Sequence, residues 1–176
     1  MSGGPILVVN PNSNAAVTAG LDAALAGFRL PGAPAIECLT LEEGPFGIES
    51  QSDADAVVAP LVRLVGDRPA AAVVIACYSD PGLHACREAT RAPVFGIQEA
   101  GVMTALARAD RFGVVAISEA SVARHRTAMR RMGVLGRLAG ERALGMSVDE
   151  TARGERTFAR LRSVGAALRG DGAETI

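Results

Sequence analysis

The side chain with the clearest capacity for chemistry in this sequence is the thiol of Cys77, which directly follows the apolar run 73–76. The next residues, 78–82, have the sequence YSDPG. This pattern predicts that a helix begins there, with Asp80 as its N-cap and Pro81 as its first residue. A thiol between a strand and a helix N-terminus is accessible and ionises readily. We therefore expect Cys77 to be a nucleophile or an acid/base, and an inert buried cysteine is the alternative.

Two further loops could bind a ligand together with the loop of Cys77. Each loop joins a predicted strand to a helix, so it presents backbone N–H groups and the positive end of a helix dipole. Asn10 and Ser13 could hydrogen-bond a ligand or cap the first helix, and Ser121 has the same two possible roles. The loops 10–14, 77–82 and 118–122 would suit a carboxylate, an enolate or an imide oxygen. The segment from Gly44 to Ser50 could cover this pocket.

The other cysteines and the two histidines are less suited to chemistry. Cys38 falls within a predicted strand and Cys86 within a predicted helix, so both are expected to be packing residues. His84 is expected to be a surface or packing residue, and Glu99 is explained by its place at a helix start. A metal site built from Cys86, His84 and His125 lacks a recognisable ligand spacing, so we expect no metal.

The composition excludes several function classes. None of the 176 residues is Lys, which excludes a pyridoxal-phosphate Schiff base, a Walker-type phosphate loop and a lysine general base. The net charge is −1 and the arginines are dispersed, so we expect no nucleic-acid partner. The densest basic group is expected to be a solvated helix face: Arg124, Arg126, Arg130 and Arg131. The start of the chain resembles no secretory signal, and no apolar stretch reaches membrane-spanning length. We therefore expect a cytoplasmic protein with no membrane partner.

Short apolar runs alternate with segments of helical periodicity along the chain. The predicted strands are 6–9, 35–39, 71–76, 94–97, 112–117 and, near 142–146, a sixth. The predicted helices are 15–28, 53–65, 81–89, 98–108, 121–132 and 150–168. Strands joined by helices imply right-handed crossovers and a parallel sheet.

The order of these elements predicts two similar lobes of α/β type. The first lobe spans residues 1–108 and carries Cys77, and the second spans residues 109–176. The last residues of the chain, from Asp171 onward, have a helix-stop glycine and then the beginning of what should be another strand. We therefore expect the second lobe to be incomplete at its C-terminus.

Several segments resemble the aspartate/glutamate/hydantoin racemase superfamily, most closely its hydantoin and allantoin racemase branch. The matching pieces occur in order over the whole chain. They are VVNPNSN at 8–14, GPxxIES at 44–50, ACYSDPGL at 76–83, FGIxEA at 95–100 and Ser121-Val122 after the fifth predicted strand. The cysteine loop combined with the Asn-Pro-Asn-Ser start is fairly specific. The resemblance implies two pseudo-symmetric, flavodoxin-like lobes with the active site in the cleft between them.

The resemblance also implies racemisation without a cofactor, by two thiols on opposite faces of the substrate. One thiolate removes the α-proton, and the opposing thiol returns a proton from the other side. Cys77 would be the first-lobe acid/base, and the residues carried over as substrate contacts are Asn10, Ser79, Ile48, Ser121 and Val122. Two departures matter. Ser118 follows Ala116-Ile117 where the family usually has threonines, and the second cysteine would lie beyond Ile176.

Two other interpretations stay open. A relative within the superfamily could be a maleate cis-trans isomerase, which uses a first-lobe cysteine as a nucleophile, or an arylmalonate decarboxylase. A thiol at Cys77 disfavours the decarboxylase, whose thiol lies on the second-lobe side. The third possibility is a non-catalytic α/β module that binds a small anion. In each case the expected partner is a small molecule, and the resemblance implies a homo-oligomer.

Overall fold

A computed structural model describes residues 4–154 and 157–176 of the chain. Residues 155 and 156, which fall within the predicted helix 150–168, lie outside the described residues. The chain packs as two compact units, Met1–Glu99 and Ala100–Ile176. This division falls inside one helix, Ile97–Arg108, and the sequence analysis placed the lobe boundary at the other end of that helix.

The first unit is an α/β structure whose four strands are all parallel, in the order β2-β1-β3-β4. Its strands are β1 Ile6–Asn10, β2 Ile36–Thr40, β3 Ala72–Ile75 and β4 Val94–Gly96. Its helices are α1 Ala15–Ala24, α2 Gln51–Ala56, α3 Val58–Asp67, α4 Leu83–Ala89 and the beginning of α5 Ile97–Arg108. The predicted alternation of strands and helices is confirmed. The prediction of a single helix over 53–65 is wrong, because the helix is interrupted at Val57.

One face of this sheet forms the hydrophobic core of the first unit. Alternate residues of β1 and β3 point to that face because side chains alternate along a strand, and helices α3 and α4 supply the opposing apolar side chains. The core includes Leu7, Val9, Val73, Ile75, Val57, Leu61, Val65, Leu83 and Cys86. Burial on this scale holds the strand ends, and the loops that follow them, at one edge of the sheet.

The second unit repeats the strand–helix–strand order around a smaller sheet. Strands β5 Phe112–Ala116 and β6 Leu138–Ala143 are parallel, and α6 Glu119–Arg131 joins them. Helices α7 Val148–Arg153 and α8 Thr157–Gly170 follow, and α6 and α8 both pack against the two strands. An isolated parallel bridge pairs Phe112 with Thr175. The sixth strand lies at 138–143 rather than near 142–146, so its predicted position is wrong.

Candidate active site

The carboxyl ends of the four parallel strands of the first unit lie at one edge of the sheet. Two of the predicted loops, 10–14 and 77–82, begin at this edge. Strand β1 ends at Asn10, beside β3, and the backbone N–H of Ala76 donates to the carbonyl of Val9 at 2.8 Å. Cys77 is the next residue after Ala76, so its loop and that of Asn10 are neighbours. In parallel α/β sheets this edge is where ligands bind. The structure therefore places the loops of Asn10 and Cys77 next to each other at this edge.

Cys77 is half-buried and packs against the hydrophobic core from the end of β3. Its carbonyl accepts a hydrogen bond from the backbone N–H of Asp80 at 2.9 Å, which closes a tight turn over 77–80. Ser79 lies within this turn and is half-buried. Helix α4 begins directly after it at Leu83, with Gly82 in the left-handed conformation as its N-cap. The thiol thus lies at a strand-to-helix junction, as the sequence indicates.

The predicted role of Asp80 as the N-cap of its own helix is wrong. Asp80 has a φ of 43°, in the left-handed region, which aspartate tolerates better than most residues. Its carboxylate points instead to α5, where one oxygen accepts from the N–H of Gln98 at 2.9 Å and the other from that of Glu99 at 2.8 Å. Asp80 therefore caps a helix that is distant from it in sequence.

Burial raises the pKa of Asp80 above its ordinary value, and this effect outweighs the two backbone hydrogen bonds, which lower it. The carboxylate of Glu99 adds to the rise and the guanidinium of Arg87 opposes it. Arg87 and Glu99 form an ion pair with N–O distances of 2.9 and 3.2 Å. That pair holds the pKa of Glu99 below its ordinary value, chiefly through the hydrogen bond from Arg87. Glu99, at the start of α5, therefore has a specific ion-pair partner in Arg87.

The loop after β1 is held by a network of buried asparagines. The Nδ2 atom of Asn10 donates to Oδ1 of Asn12 at 2.9 Å, to the carbonyl of Asn14 at 3.2 Å and to Oγ1 of Thr18 at 3.1 Å. Asn14, not Asn10 or Ser13, is the N-cap of α1, and its side chain accepts from the N–H of Ala16 at 3.0 Å. The capping alternative for Asn10 and Ser13 is therefore wrong.

The segment from Gly44 to Ser50 packs on this asparagine loop. The N–H of Ser13 donates to the carbonyl of Pro45 at 2.9 Å. A side chain at Gly44 would lie 2.6 Å from the carbonyl oxygen of Pro11, so only glycine allows the two loops to approach so closely. Ile48, in the same segment, is 8% exposed and belongs to the hydrophobic core. Its contact with substrate stays a prediction.

The candidate residues of the second unit lie at the N-terminus of α6. Ser118 is the N-cap, but its hydroxyl does not cap the helix and lies 3.2 Å from the hydroxyl of Ser121. Ser121 is buried and also accepts from Arg124 at 3.4 Å, and Val122 is half-buried. Arg126, Arg130 and Arg131 are exposed, as predicted for a solvated helix face, whereas Arg124, which the prediction also placed there, is half-buried.

The other two thiols occupy different environments. Cys86 is fully buried in α4, and burial raises its pKa. Cys38 lies in β2, where burial, followed by the carboxylate of Asp22, raises its pKa. A raised pKa lowers the thiolate fraction at neutral pH. Neither residue follows a strand end, so neither resembles Cys77.

The structure also shows polar contacts that the sequence analysis missed. His125 of α6 lies 2.6 Å from the carboxylate of Glu141 in β6, and both side chains are almost fully buried. Gln98 is 1% exposed, and its Nε2 atom has no hydrogen-bond partner among residues 4–154 and 157–176. Strand β4 ends at Gly96 and α5 begins at Ile97, so no loop residue is present to cap α5. This direct succession could have indicated that the cap of α5 comes from elsewhere in the chain, as it does from Asp80.

Within the described ranges, no group of three or more His, Cys, Asp or Glu side chains is arranged to hold a metal ion. In the same ranges, no helix combines the length and apolar character needed to cross a membrane.

Comparisons with known proteins extend over nearly the whole chain. The profile of the family described as Asp/Glu/Hydantoin racemase matches residues 6–176. A hydantoin racemase of Paenarthrobacter aurescens is 32% identical over 97% of this chain and 75% of its own length. A hydantoin racemase of Pseudomonas sp. (strain NS671) is 39% identical over 64% of this chain and 46% of its own length. The structure of an allantoin racemase from Klebsiella pneumoniae superimposes with a TM-score of 0.88 at 28% identity, over 96% of this chain and 71% of that one.

Proposed function

This chain belongs to the Asp/Glu/Hydantoin racemase family, and we propose that it acts as a cofactor-independent racemase of a hydantoin- or allantoin-like cyclic ureide. The observation that carries the proposal is the position of Cys77. Its half-buried thiol follows a central parallel strand and precedes a helix, at the sheet edge where the loop 10–14 also begins. Relatives named hydantoin racemase and a structural neighbour named allantoin racemase support the substrate class.

The chemistry that suits this arrangement is proton transfer at a carbon next to a carbonyl group. The thiolate of Cys77 removes the α-proton, and the electron pair moves onto the adjacent carbonyl oxygen to give an enolate. An opposing thiol then donates a proton to the other face of the same carbon, which inverts the stereocentre. This is general acid–base catalysis with a stabilised oxyanion. The carbon acid's own carbonyl accepts the charge, so the scheme requires no cofactor.

The substrate contacts that we propose in the first unit belong to the loops next to Cys77. Ser79 lies in the same turn as the thiol, and Asn10 and Ser13 belong to the neighbouring loop. The carboxamide of Asn10 already holds that loop together, so we propose that Asn10 contributes mainly by fixing the shape of the binding surface. The resemblance also assigns substrate contacts to Ser121 and Val122 at the start of α6 in the second unit, and these contacts stay a prediction. Ile48 would contribute an apolar wall from its covering segment.

The opposing thiol of the proposal is not one of the cysteines in the described residues. Cys38 and Cys86 lie within a strand and a helix, and the pKa of each is raised by burial. The relatives compared above are longer than this chain, which spans 46% to 75% of the two hydantoin racemases. We propose that neither Cys38 nor Cys86 is the second acid/base.

Exchange of the α-proton in D₂O tests the reaction class. The protein, as its gene encodes it, is incubated with single enantiomers of allantoin and of a monosubstituted hydantoin, next to a sample without enzyme. Two-thiol racemisation predicts loss of optical rotation together with incorporation of one deuteron at the stereocentre of the inverted product. Parallel samples contain an arylmalonate or maleate in place of the ureide. Loss of carbon dioxide from the arylmalonate, or a covalent maleate adduct on Cys77, would replace the proposal with one of the other reactions. Binding without turnover would leave only an anion-binding module.

A further inference from the structure

The side chain of Asp80 joins the Cys77 turn to the helix that follows the next strand. Cys77 begins the turn and Asp80 ends it, with the 2.9 Å hydrogen bond between their backbones. The two carboxylate oxygens of Asp80 each accept one N–H from the first turn of α5. One aspartate therefore fixes the thiol loop on one side and the start of a twelve-residue helix on the other.

The fit between Asp80 and the end of β4 is unusually close. A Cβ atom added at Gly96 would overlap Cγ and Oδ2 of Asp80 and would lie 2.5 Å from Oδ1. Real Cβ atoms do not approach other heavy atoms so closely, so the carboxylate occupies the space that a side chain at position 96 would need. The left-handed backbone of Asp80 aims the carboxylate at this space. The backbone conformation of Asp80 and its contact with Gly96 thus agree on one position for the side chain.

From this contact between the Asp80 carboxylate, Gly96 and the first N–H groups of α5, we propose that Asp80 is a positioning residue for Cys77. It does not touch the substrate. It holds the turn so that the thiol remains at the orientation that proton transfer requires, and a displacement of about 1 Å at a reacting group can cost about 10²-fold in rate. The inference rests on the proposed function, and it adds the residue that keeps the proposed acid/base in place.

A double-mutant cycle at positions 80 and 96 tests the proposal. The variants are Asp80→Ala, Gly96→Ala and the two together, in the protein as its gene encodes it. Asp80→Ala removes the carboxylate, and Gly96→Ala displaces it without changing its chemistry. We expect each single variant to lower kcat about 10- to 100-fold with KM changed less than about threefold, as expected for a misplaced catalytic group. In the double variant the second substitution should add little, because the carboxylate with which the new methyl group would clash is gone.

A second readout does not depend on racemase activity. The rate at which iodoacetamide alkylates Cys77 in the folded protein should change at least about threefold in both single variants, since thiol reactivity follows its environment. Glu174→Ala is the matched control. Glu174 lies in the second unit, and its carboxylate accepts the backbone N–H groups of Asp110 and Arg111 at 2.8 and 3.3 Å, as that of Asp80 accepts those of Gln98 and Glu99. It should leave the alkylation rate of Cys77 unchanged.

The outcomes separate the two proposals. A folded Asp80→Ala protein with wild-type kcat and wild-type alkylation of Cys77 would overturn the positioning role. So would effects of Asp80→Ala and Gly96→Ala that simply multiply in the double variant, or a Glu174→Ala protein whose Cys77 reactivity changes equally. If the wild-type protein does not racemise any ureide but the alkylation cycle shows the expected coupling, the proposed function fails while the positioning role of Asp80 stands.

Discussion

At the scale of single residues, the sequence locates Cys77 correctly because its signal is local. An apolar run that ends in a cysteine and is followed by Asp-Pro-Gly predicts a strand, a turn and a helix, and the structure has all three in that order. The partner of Asp80 could not be predicted in the same way. Asp-Pro is a common helix start, but here the carboxylate satisfies N–H groups that lie 18 and 19 residues further along the chain.

The hydrogen bonds of the loop 10–14 also could not be predicted from the local sequence. Several candidate capping residues occur within 10–14, and each could accept a hydrogen bond from the first turn of α1. Asn14 is the one that does so, whereas Asn10 is buried beneath the loop and bonded to Thr18, which in turn contacts Thr40 at 2.6 Å. That choice depends on β2 lying beside β1, so it could not follow from the local sequence.

The raised pKa of Asp80 predicts a pH dependence of stability with a definite sign. A carboxyl group whose pKa is higher in the folded state binds its proton more tightly there, so protonation favours folding. The contribution is fully present below the ordinary value of 3.8 and is lost as pH rises through the folded-state pKa. We therefore expect the wild-type protein to lose stability relative to Asp80→Asn as pH rises from below 3.8. Urea unfolding followed by circular dichroism at a series of pH values measures this difference.

Asp171 provides a control of opposite sign. Its pKa is lowered, chiefly by its hydrogen bond with Arg142, so its contribution to stability should be lost as pH falls below 3.8. Wild-type protein should therefore lose stability relative to Asp171→Asn on acidification. The interpretation of Asp80 would be contradicted if both comparisons showed the same trend with pH.

At the scale of elements, hydrophobic periodicity finds the strands and helices but not their interruptions. The segment 53–65 has continuous helical spacing, yet the helix is interrupted at Val57, which is fully buried in the core. Strand β6 has the sequence LAGERA, and its charged residues interrupt the apolar pattern from which a strand is predicted. Glu141 occupies an inward-facing position of that strand because His125 of α6 lies opposite it.

This buried pair predicts a specific weakness in the second unit. The Glu141 side chain is fully buried and that of His125 is 5% exposed, so replacing the histidine leaves a carboxylate without its closest partner. We expect His125→Leu to lower the free energy of unfolding by about 3 kcal/mol, as is typical of a broken buried pair. The variant His125→Leu/Glu141→Leu should recover much of that loss. Urea unfolding monitored by circular dichroism gives both values.

Arg126→Ala is the control on the same helix. Arg126 is exposed, and exposed substitutions usually change stability by less than about 0.5 kcal/mol. If His125→Leu had an equally small effect, the pair would not be a stabilising element of the second unit. If the double variant were as unstable as the single one, lost packing rather than the unpaired carboxylate would explain the effect.

At the scale of the whole molecule, the sequence predicts an α/β protein with parallel sheets, and this is confirmed by the structure and by its racemase neighbours. The succession β5-α6-β6 repeats β1-α1-β2, with parallel pairing in both cases. Polar pairs join the helix to the second strand in each repeat: Thr18 with Thr40, and His125 with Glu141. The two units therefore use one topology with different side-chain chemistry, and chemistry of that kind depends on tertiary contacts that a sequence pattern does not contain.

We propose that the thiol of Cys77 transfers the proton, and replacement of this cysteine by serine is the decisive test. Racemisation of allantoin and hydantoin enantiomers is measured by chiral chromatography for the wild-type protein, Cys77→Ser and the control Cys38→Ser. A serine hydroxyl is a far weaker acid than a thiol and is a poor proton carrier at neutral pH. We expect Cys77→Ser to lose at least about 10³-fold in kcat while remaining folded, and Cys38→Ser to keep wild-type activity. A Cys77→Ser protein that racemises its substrate at the wild-type rate would contradict it.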